Sequence, residues 1–226
     1  MSNFTTWRSL VDGEEIGEIP DSAVYRFDAH SINATDGDSI TSWQCDVTGD
    51  TITGDATYTN DGIDGEPAVY FNGTDDKLED HSFIDITNPT IFYIVNVDDV
   101  STRGHLTGRI DNEDGTGMRW EGGDDIWDVE VPNTFNDVGG DADSRLISHR
   151  VEGNGDITVR IDETQEYKQN NGSCDLQAMS LGYEAENDRR YYPGHLGLIE
   201  VHDEQLSDSE IEEREQELVD EWNLSI

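Results

Sequence analysis

The run GEPAVYFNGTDDKL at residues 65–78 decides the fold class. Its centre, Ala68 to Phe71, is a compact stretch of strand-forming residues, and an acidic loop at Asp75-Asp76 follows it. Comparable runs lie on both sides. Upstream, AVYRFDA (23–29) alternates Val24 and Arg26 against Tyr25 and Phe27. Downstream, TIFYIVNV (90–97) is nearly continuously apolar, as expected of a strand buried on both faces.

Further strands are expected in GHLTGRI (104–110), GMRWEG (117–122), SRLISHRV (144–151), DITVRID (156–162), MSLGYEA (179–185) and GHLGLIEVHD (194–203). Clusters of Gly, Asn and Asp separate them. Short strands with turn chemistry between them argue for an all-β sandwich or barrel. Asn154-Gly155 supplies the positive φ angles of a tight hairpin between two of these runs, so the sheet is expected to be antiparallel.

The pattern changes once. LSDSEIEEREQELVDEWNL carries Ser207 three residues before Glu210, a capping box, and Ile211, Leu218, Val219 and Trp222 share one helical face. A helix over 208–222 packed on the sandwich follows. At the other end Trp7, Leu10 and Val11 have the spacing of one helical turn ahead of Asp12-Gly13, and a short docking arm and a first strand both fit the segment; residues 1–22 are read as a docking arm before a single domain at 23–226.

The 226 residues hold 52 acidic and 13 basic side chains, a formal net charge of −39, and only Lys77 and Lys168 among the cations are lysines. With 33% hydrophobic residues and five tryptophans the chain has the material for a core, which excludes wholesale disorder. Scattered acid with few lysines resembles proteins that work in near-saturated salt, where a Debye length of about 3 Å or less removes self-repulsion. No basic stripe exists to neutralise phosphates, so nucleic-acid binding is not expected. No apolar run reaches membrane-spanning length, and the first residues lack the basic and apolar regions of a secretory signal, so neither membrane insertion nor a leader is expected. Cys45 and Cys174 allow at most one disulfide and show no zinc spacing; buried free thiols are the simpler expectation.

Taken in order, FDA (27–29), WQCDVTG (43–49), GEPAVYFNGTDDKL (65–78), GHLGLIEV (194–201) and QLSDSEIEEREQELVDEWNL (205–224) resemble the laminin-G-like, concanavalin A-like jelly roll found in haloarchaeal and tailed-virus surface proteins. The likeness covers about 23–224. It implies an antiparallel jelly-roll sandwich with a C-terminal helix packed on it, with Trp43 as a core aromatic and Asp46 to Gly49 as a turn. Members of that family are mostly carbohydrate- or protein-binding modules, and a minority are glycosidases.

The glycosidases carry Glu-x-Asp-x-Glu on one strand, so that alternation places both glutamates on one face. The nearest match is IWDVE at 126–130, where Ile126 occupies the place of the nucleophile and only Asp128 and Glu130 remain. An enzyme is not expected. For sugar binding, aromatic platforms are expected at Trp120 and Trp127, which flank an acidic loop, and at Tyr191 and Tyr192 in RRYYPG. The family's ion is calcium; oxygen-only ligands suited to calcium or magnesium are available at Asp111, Asp114, Asp124 and Asp125.

A surface-type binding fold with an acid-rich composition is the expectation for a non-enzymatic virion surface protein of a virus of a halophilic host. A capsid decoration, turret or tail-fibre component, it would attach to a host envelope glycan or glycoprotein. Its partners would be further copies of itself and other virion proteins. A cellular extracellular carbohydrate-binding or adhesin module is the alternative.

Overall fold

The computed structural model describes residues 10–11, 14–15, 19–80, 86–107, 116–124, 126–131, 134–143, 145–153, 156–163, 165–170, 175–176, 179–185 and 187–226. Strands β1 (Leu10–Val11) and β2 (Glu14–Glu15) precede β3 (Ala23–Asp28), a 3-10 turn at Ala29–Ser31, β4 (Ser39–Gln44), β5 (Thr51–Ile63) and β6 (Glu66–Asn72). Then come β7 (Lys77–Asp80), β8 (Ile86–Thr87), β9 (Thr90–Val97), β10 (Gly104–His105), β11 (Gly117–Glu121), β12 (Ile126–Val131) and β13 (Thr134–Gly139). The chain closes with β14 (Leu146–Val151), β15 (Asp156–Ile161), β16 (Gln165–Asn170), β17 (Asp175–Leu176), β18 (Met179–Leu181), β19 (Pro193–His202) and helix α1 (Asp208–Glu221).

All strand pairings between these elements are antiparallel, as the hairpin chemistry predicts. One layer runs β16-β15-β14-β9-β19, with β6 beside the first half of β19 and β3 beside its second half. The other contains β10-β11-β12-β13. Strand β5 serves both sides of the corner: its early residues pair with β4 and β7, and its later residues pair with β6. The close approach of β5 to β7 requires a glycine, because a Cβ on Gly54 would lie 1.9 Å from the Lys77 carbonyl oxygen.

A single apolar cluster fills the space between the layers. Phe27, Trp43, Phe71, Tyr93, Trp120 and Trp127 all belong to it, and Trp43 meets Phe27 edge-on with ring centroids 5.8 Å apart. The run TIFYIVNV is β9, buried from Thr90 to Val95. Its two faces are covered differently. Tyr93 faces the core, whereas Phe92 lies in register with Ser148 on β14 and Glu200 on β19, and that row faces α1, because Ser148 Oγ donates to Glu215 at 2.6 Å.

Helix α1 begins with the expected capping box: the Ser207 side chain accepts from the Glu210 N–H, and the Glu210 carboxylate accepts from the Ser207 N–H. Its buried side chains include Ile211 and Leu218 but also Arg214 and Glu215. Arg214 pairs with Glu200 at 2.7 Å, Arg160 with Glu215 at 2.9 Å, and Arg150 with Asp208 at 2.7 Å. The helix is therefore seated on the sheet through ion pairs as well as apolar contacts. It is not long and apolar enough to cross a membrane.

Leu10–Val11 pairs antiparallel with Glu14–Glu15 as extended backbone, the strand alternative for this segment, while Trp7 and Asp12-Gly13 lie outside the described residues. Asn154-Gly155 lies outside the described residues; the strands that it joins pair antiparallel, with Val151 opposite Ile157 and the Glu152 N–H donating to the Asp156 carbonyl at 2.8 Å.

Candidate functional site

The structure removes three of the four expected sugar platforms from the surface. Trp120 and Trp127 are cross-strand partners on β11 and β12, their rings 5.5 Å apart at 74°, and both are fully buried. The reason is strand alternation: Met118 and Val129 share their face and point to the core, while Arg119 and Asp128 point the other way. Tyr192 is likewise buried, and its hydroxyl donates to the Asn96 carbonyl at 3.0 Å. Only Tyr191 stays partly exposed, its hydroxyl donating to Asp188 at 3.0 Å and its ring stacked 6.0 Å from Tyr183.

The expected ion ligands Asp111, Asp114 and Asp125 lie outside the described residues, and Asp124 is exposed in the β11–β12 turn. Among the described residues no group of three or more His, Cys, Asp or Glu is placed to hold a metal ion. Asp128, from the IWDVE run, is fixed by Arg119, whose Nε and Nη2 donate to its Oδ2 at 2.8 and 2.6 Å. The Glu130 side chain lies outside the described residues. Cys45 is a buried free thiol that accepts from the Arg26 N–H at 3.4 Å, and Cys174 lies outside the described residues.

A polar cleft of about 790 Å³ lies along β4 and the segment after the 3-10 turn. Its walls carry the hydroxyls of Ser31, Ser39, Thr41, Ser42 and Thr51, the amides of Asn33 and Gln44, and the carboxylates of Asp38 and Asp46. A hydroxyl-rich strand folds this way because β4 needs only its inward residues, Ile40 and Trp43, for burial. Trp43 fixes the floor by donating from Nε1 to the Asp28 carbonyl at 3.4 Å, and Asp46 is tied to β3 by its N–H donating to the Arg26 carbonyl at 2.8 Å. Sequence reasoning missed this cleft. Its one signal was the density of Ser, Thr and Asn around a lone tryptophan.

Behind the cleft lies a dense charged network. Arg26 contacts Asp28 and Glu200 at 2.6 Å each and Glu221 at 2.5 Å, and Arg26, Asp28 and Glu200 are all fully buried. The Asp46 carboxyl opens to the cleft, but the surrounding walls withdraw water from part of it; that effect and the nearby Asp28 charge push it up to about 6. His30 sits between Asp28 (3.0 Å) and Glu66 (3.1 Å). Partial burial pulls its imidazolium down, but hydrogen bonds and charge from these carboxylates outweigh that and raise it to about 9.

This sets a pH dependence. A histidine whose folded value lies above its unfolded value of about 6.5 contributes stability that is complete below 6.5 and is lost as pH rises through about 9. Urea unfolding across that window is expected to show a loss of about 2–3 kcal/mol, and His30→Gln is expected to remove the slope. An unchanged slope in His30→Gln would rule out this histidine as its source.

No protein-family model matches the chain, and no curated protein matches it. Solved structures do share its fold. The sialidase of Trypanosoma rangeli, in complex with a difluorinated keto-deoxy-nonulosonic acid, superposes with a TM-score of 0.59 at 11% identity, covering 99% of this chain and 38% of that one. The binding domain of Paraclostridial Mosquitocidal Protein 1 gives 0.57 at 12% identity, with 86% of this chain and 52% of that one covered. The ligand-binding domain of botulinum neurotoxin serotype D, in complex with N-acetylneuraminic acid, gives 0.56 at 10% identity, with 87% and 51% covered. The chain thus spans about half or less of these proteins. At such identities the likeness establishes the fold alone, an antiparallel β-sandwich, which in this chain carries one C-terminal helix.

Proposed function

We propose that this chain is a non-catalytic carbohydrate-binding module whose ligand lies in the cleft along β4. The observation that carries this reading is the lining: five hydroxyls, two amides and two carboxylates around about 790 Å³, within the size range of small-ligand clefts. Sugar diols both donate and accept, and this mixture of groups matches them. Two of the similar solved structures hold acidic-sugar ligands, which supports the reading. The Glu-x-Asp-x-Glu pair of the glycosidases is incomplete in this chain, where Ile126 stands in the place of the nucleophile, which favours binding over hydrolysis.

The setting we favour is the surface of a virion of a halophilic host, where such a module, as a homo-oligomer beside other virion proteins, would attach to envelope glycans. The acid excess supports a saline environment. Detection of the chain in purified virions would support that setting, and its presence in the secreted fraction of uninfected cells would assign the extracellular alternative.

The test of the cleft is a glycan array in multimolar KCl with the wild type and Ser42→Tyr, which fills the cleft from an exposed position. Ser42→Tyr is expected to lower affinity at least tenfold, about 1.4 kcal/mol, without changing the melting temperature. Absence of glycan binding by the wild type, or full binding by the variant, would overturn the reading.

A further inference from the structure

In a chain of net charge −39, cations are scarce, and their placement is informative. Six of the nine described arginines have little exposed side chain: Arg26, Arg119, Arg145, Arg150, Arg160 and Arg214, at 0%, 7%, 16%, 6%, 15% and 5%. The other three, Arg103, Arg189 and Arg190, are exposed at 42%, 53% and 26%. These three lie on one surface. The segment entering β10 runs beside the segment entering β19, with the His105 N–H donating to the Arg190 carbonyl at 2.8 Å. A Cβ on Gly104 would meet the Tyr191 carbonyl at 2.6 Å.

The carboxylates that accompany them lie underneath. Glu121, Asp128 and Glu184 are buried, at 7%, 1% and 4% exposure. Arg103 pairs with Glu121 through Nη2, Arg190 pairs with Glu184 through Nη1 at 3.0 Å, and Arg189 donates to the same Glu184 from Nε at 3.2 Å and from Nη2 at 3.1 Å. The remaining N–H groups of Arg103 and Arg190 have no partner among the described residues. Arg119 lies near both: burial, and then the charges of Arg103 and Arg190, pull its guanidinium below its ordinary value despite Asp128. The outermost acid, Asp188, is occupied by Lys77 at 2.8 Å and by the Tyr191 hydroxyl. The loop also holds Asp188 and Arg190 at φ of 47° and 55°, the left-handed region that residues with a Cβ seldom adopt.

Resting on the carbohydrate-binding reading, we infer that this patch of Arg103, Arg189, Arg190 and Tyr191 is a second subsite that takes the carboxylate of an acidic sugar. A guanidinium fork matches a carboxylate, and the partly exposed Tyr191 ring offers a face for the apolar side of the sugar. No such surface is needed for a neutral glycan. In high salt, long-range repulsion from the rest of the chain is screened, so a short-range contact decides capture.

The experiment compares 3′-sialyllactose with lactose, two probes that differ by the acidic sugar, using calorimetry in multimolar KCl. The proteins are the wild type, Arg103→Gln/Arg190→Asn and Ser42→Tyr. Asparagine is chosen because it tolerates the left-handed backbone. The expected result is at least tenfold tighter binding of sialyllactose than lactose by the wild type, with that preference lost in the double variant. The preference should survive in Ser42→Tyr while overall affinity falls.

Equal affinity for the two probes, with loss only in Ser42→Tyr, overturns the subsite and leaves the cleft reading standing. Binding of neither probe by the wild type overturns the subsite, and an empty glycan array beside it overturns the cleft as well. A double variant that melts with the wild type yet keeps the preference also overturns the subsite. If the double variant melts early, Arg189→Gln, at the most exposed of the three arginines, replaces it and is judged by the same criterion.

Discussion

Arg26→Ala is expected to cost about 3–5 kcal/mol of folding free energy, because it removes one partner of a buried charge network and leaves the others uncompensated. Arg26 lies opposite Glu200 in the β3–β19 register and also holds Asp28 and, from the end of α1, Glu221. Burial alone would raise the carboxyls of Asp28 and Glu200. The partners of these acids reverse this: Arg26 and His30 hold Asp28 below the usual carboxylate range, and the charge of Arg214, a hydrogen bond with His202 and the charge of Arg26 hold Glu200 well below it.

An acid whose folded value is depressed contributes stability above its unfolded value, about 4, and that contribution is lost as pH falls through the folded value. Removing Arg26 raises both carboxyls. The gap between Arg26→Ala and wild type is therefore expected to be widest at neutral pH and to shrink as the acids protonate below about pH 5. Urea unfolding at fixed high KCl measures it, and a cost below about 1 kcal/mol, or a gap that ignores pH, would show that water reaches these carboxylates and solvates them.

Much of the framework was legible because its signals are local. Strand β9 is an apolar run, β14 and β15 flank an Asn-Gly pair, and α1 carries its own cap and an apolar face at Ile211 and Leu218. Strands β4 and β5 carried no such signal. Their buried residues, Ile40, Trp43, Ile52, Ala56, Tyr58 and Ile63, are diluted by threonine, aspartate and glycine, because β5 crosses a corner and changes partners midway. The cleft rests on β4 and was invisible for the same reason: hydroxyls on a strand make a site only once the neighbouring segment is placed beside them.

The misplaced platforms teach a different point. Met118 and Trp120 alternate with Arg119 and Glu121, and Trp127 and Val129 alternate with Asp128, a period-2 pattern that assigns the tryptophans to the core. Composition around them, rich in Gly and Asp, suggested an exposed loop. The period was the better guide. Conversely, Arg214 and Glu215 lie three and four residues after Ile211, on the face that the period of α1 buries; only their charge spoke against burial, and its cost is offset by partners on strands far away in sequence.

Trp222 offers the second large effect and a sharper test of packing. The ring is fully buried at the end of α1, 4.2 Å from the His30 ring, and it lies against the backbone of β19, where a Cβ on Gly197 would approach it to 2.5 Å. Its Nε1 has no hydrogen-bond partner among the described residues, so its contribution is packing rather than polar contact. Trp222→Ala should cost about 3–5 kcal/mol and loosen α1. Gly197→Ala alone should cost about 1–3 kcal/mol through overpacking, since the indole must move. In the Trp222→Ala background, the same methyl group enters vacated space and restores contacts to Ile63, whose Cδ1 would lie 3.3 Å from it. The two changes are therefore expected to be non-additive by at least about 1 kcal/mol, with the double variant more stable than the sum predicts. Additive costs in the thermodynamic cycle would mean that the indole does not pack on Gly197 in solution. The seat of α1 would then rest on Ile211, Leu218 and the ion pairs of Arg26, Arg214, Arg160 and Arg150.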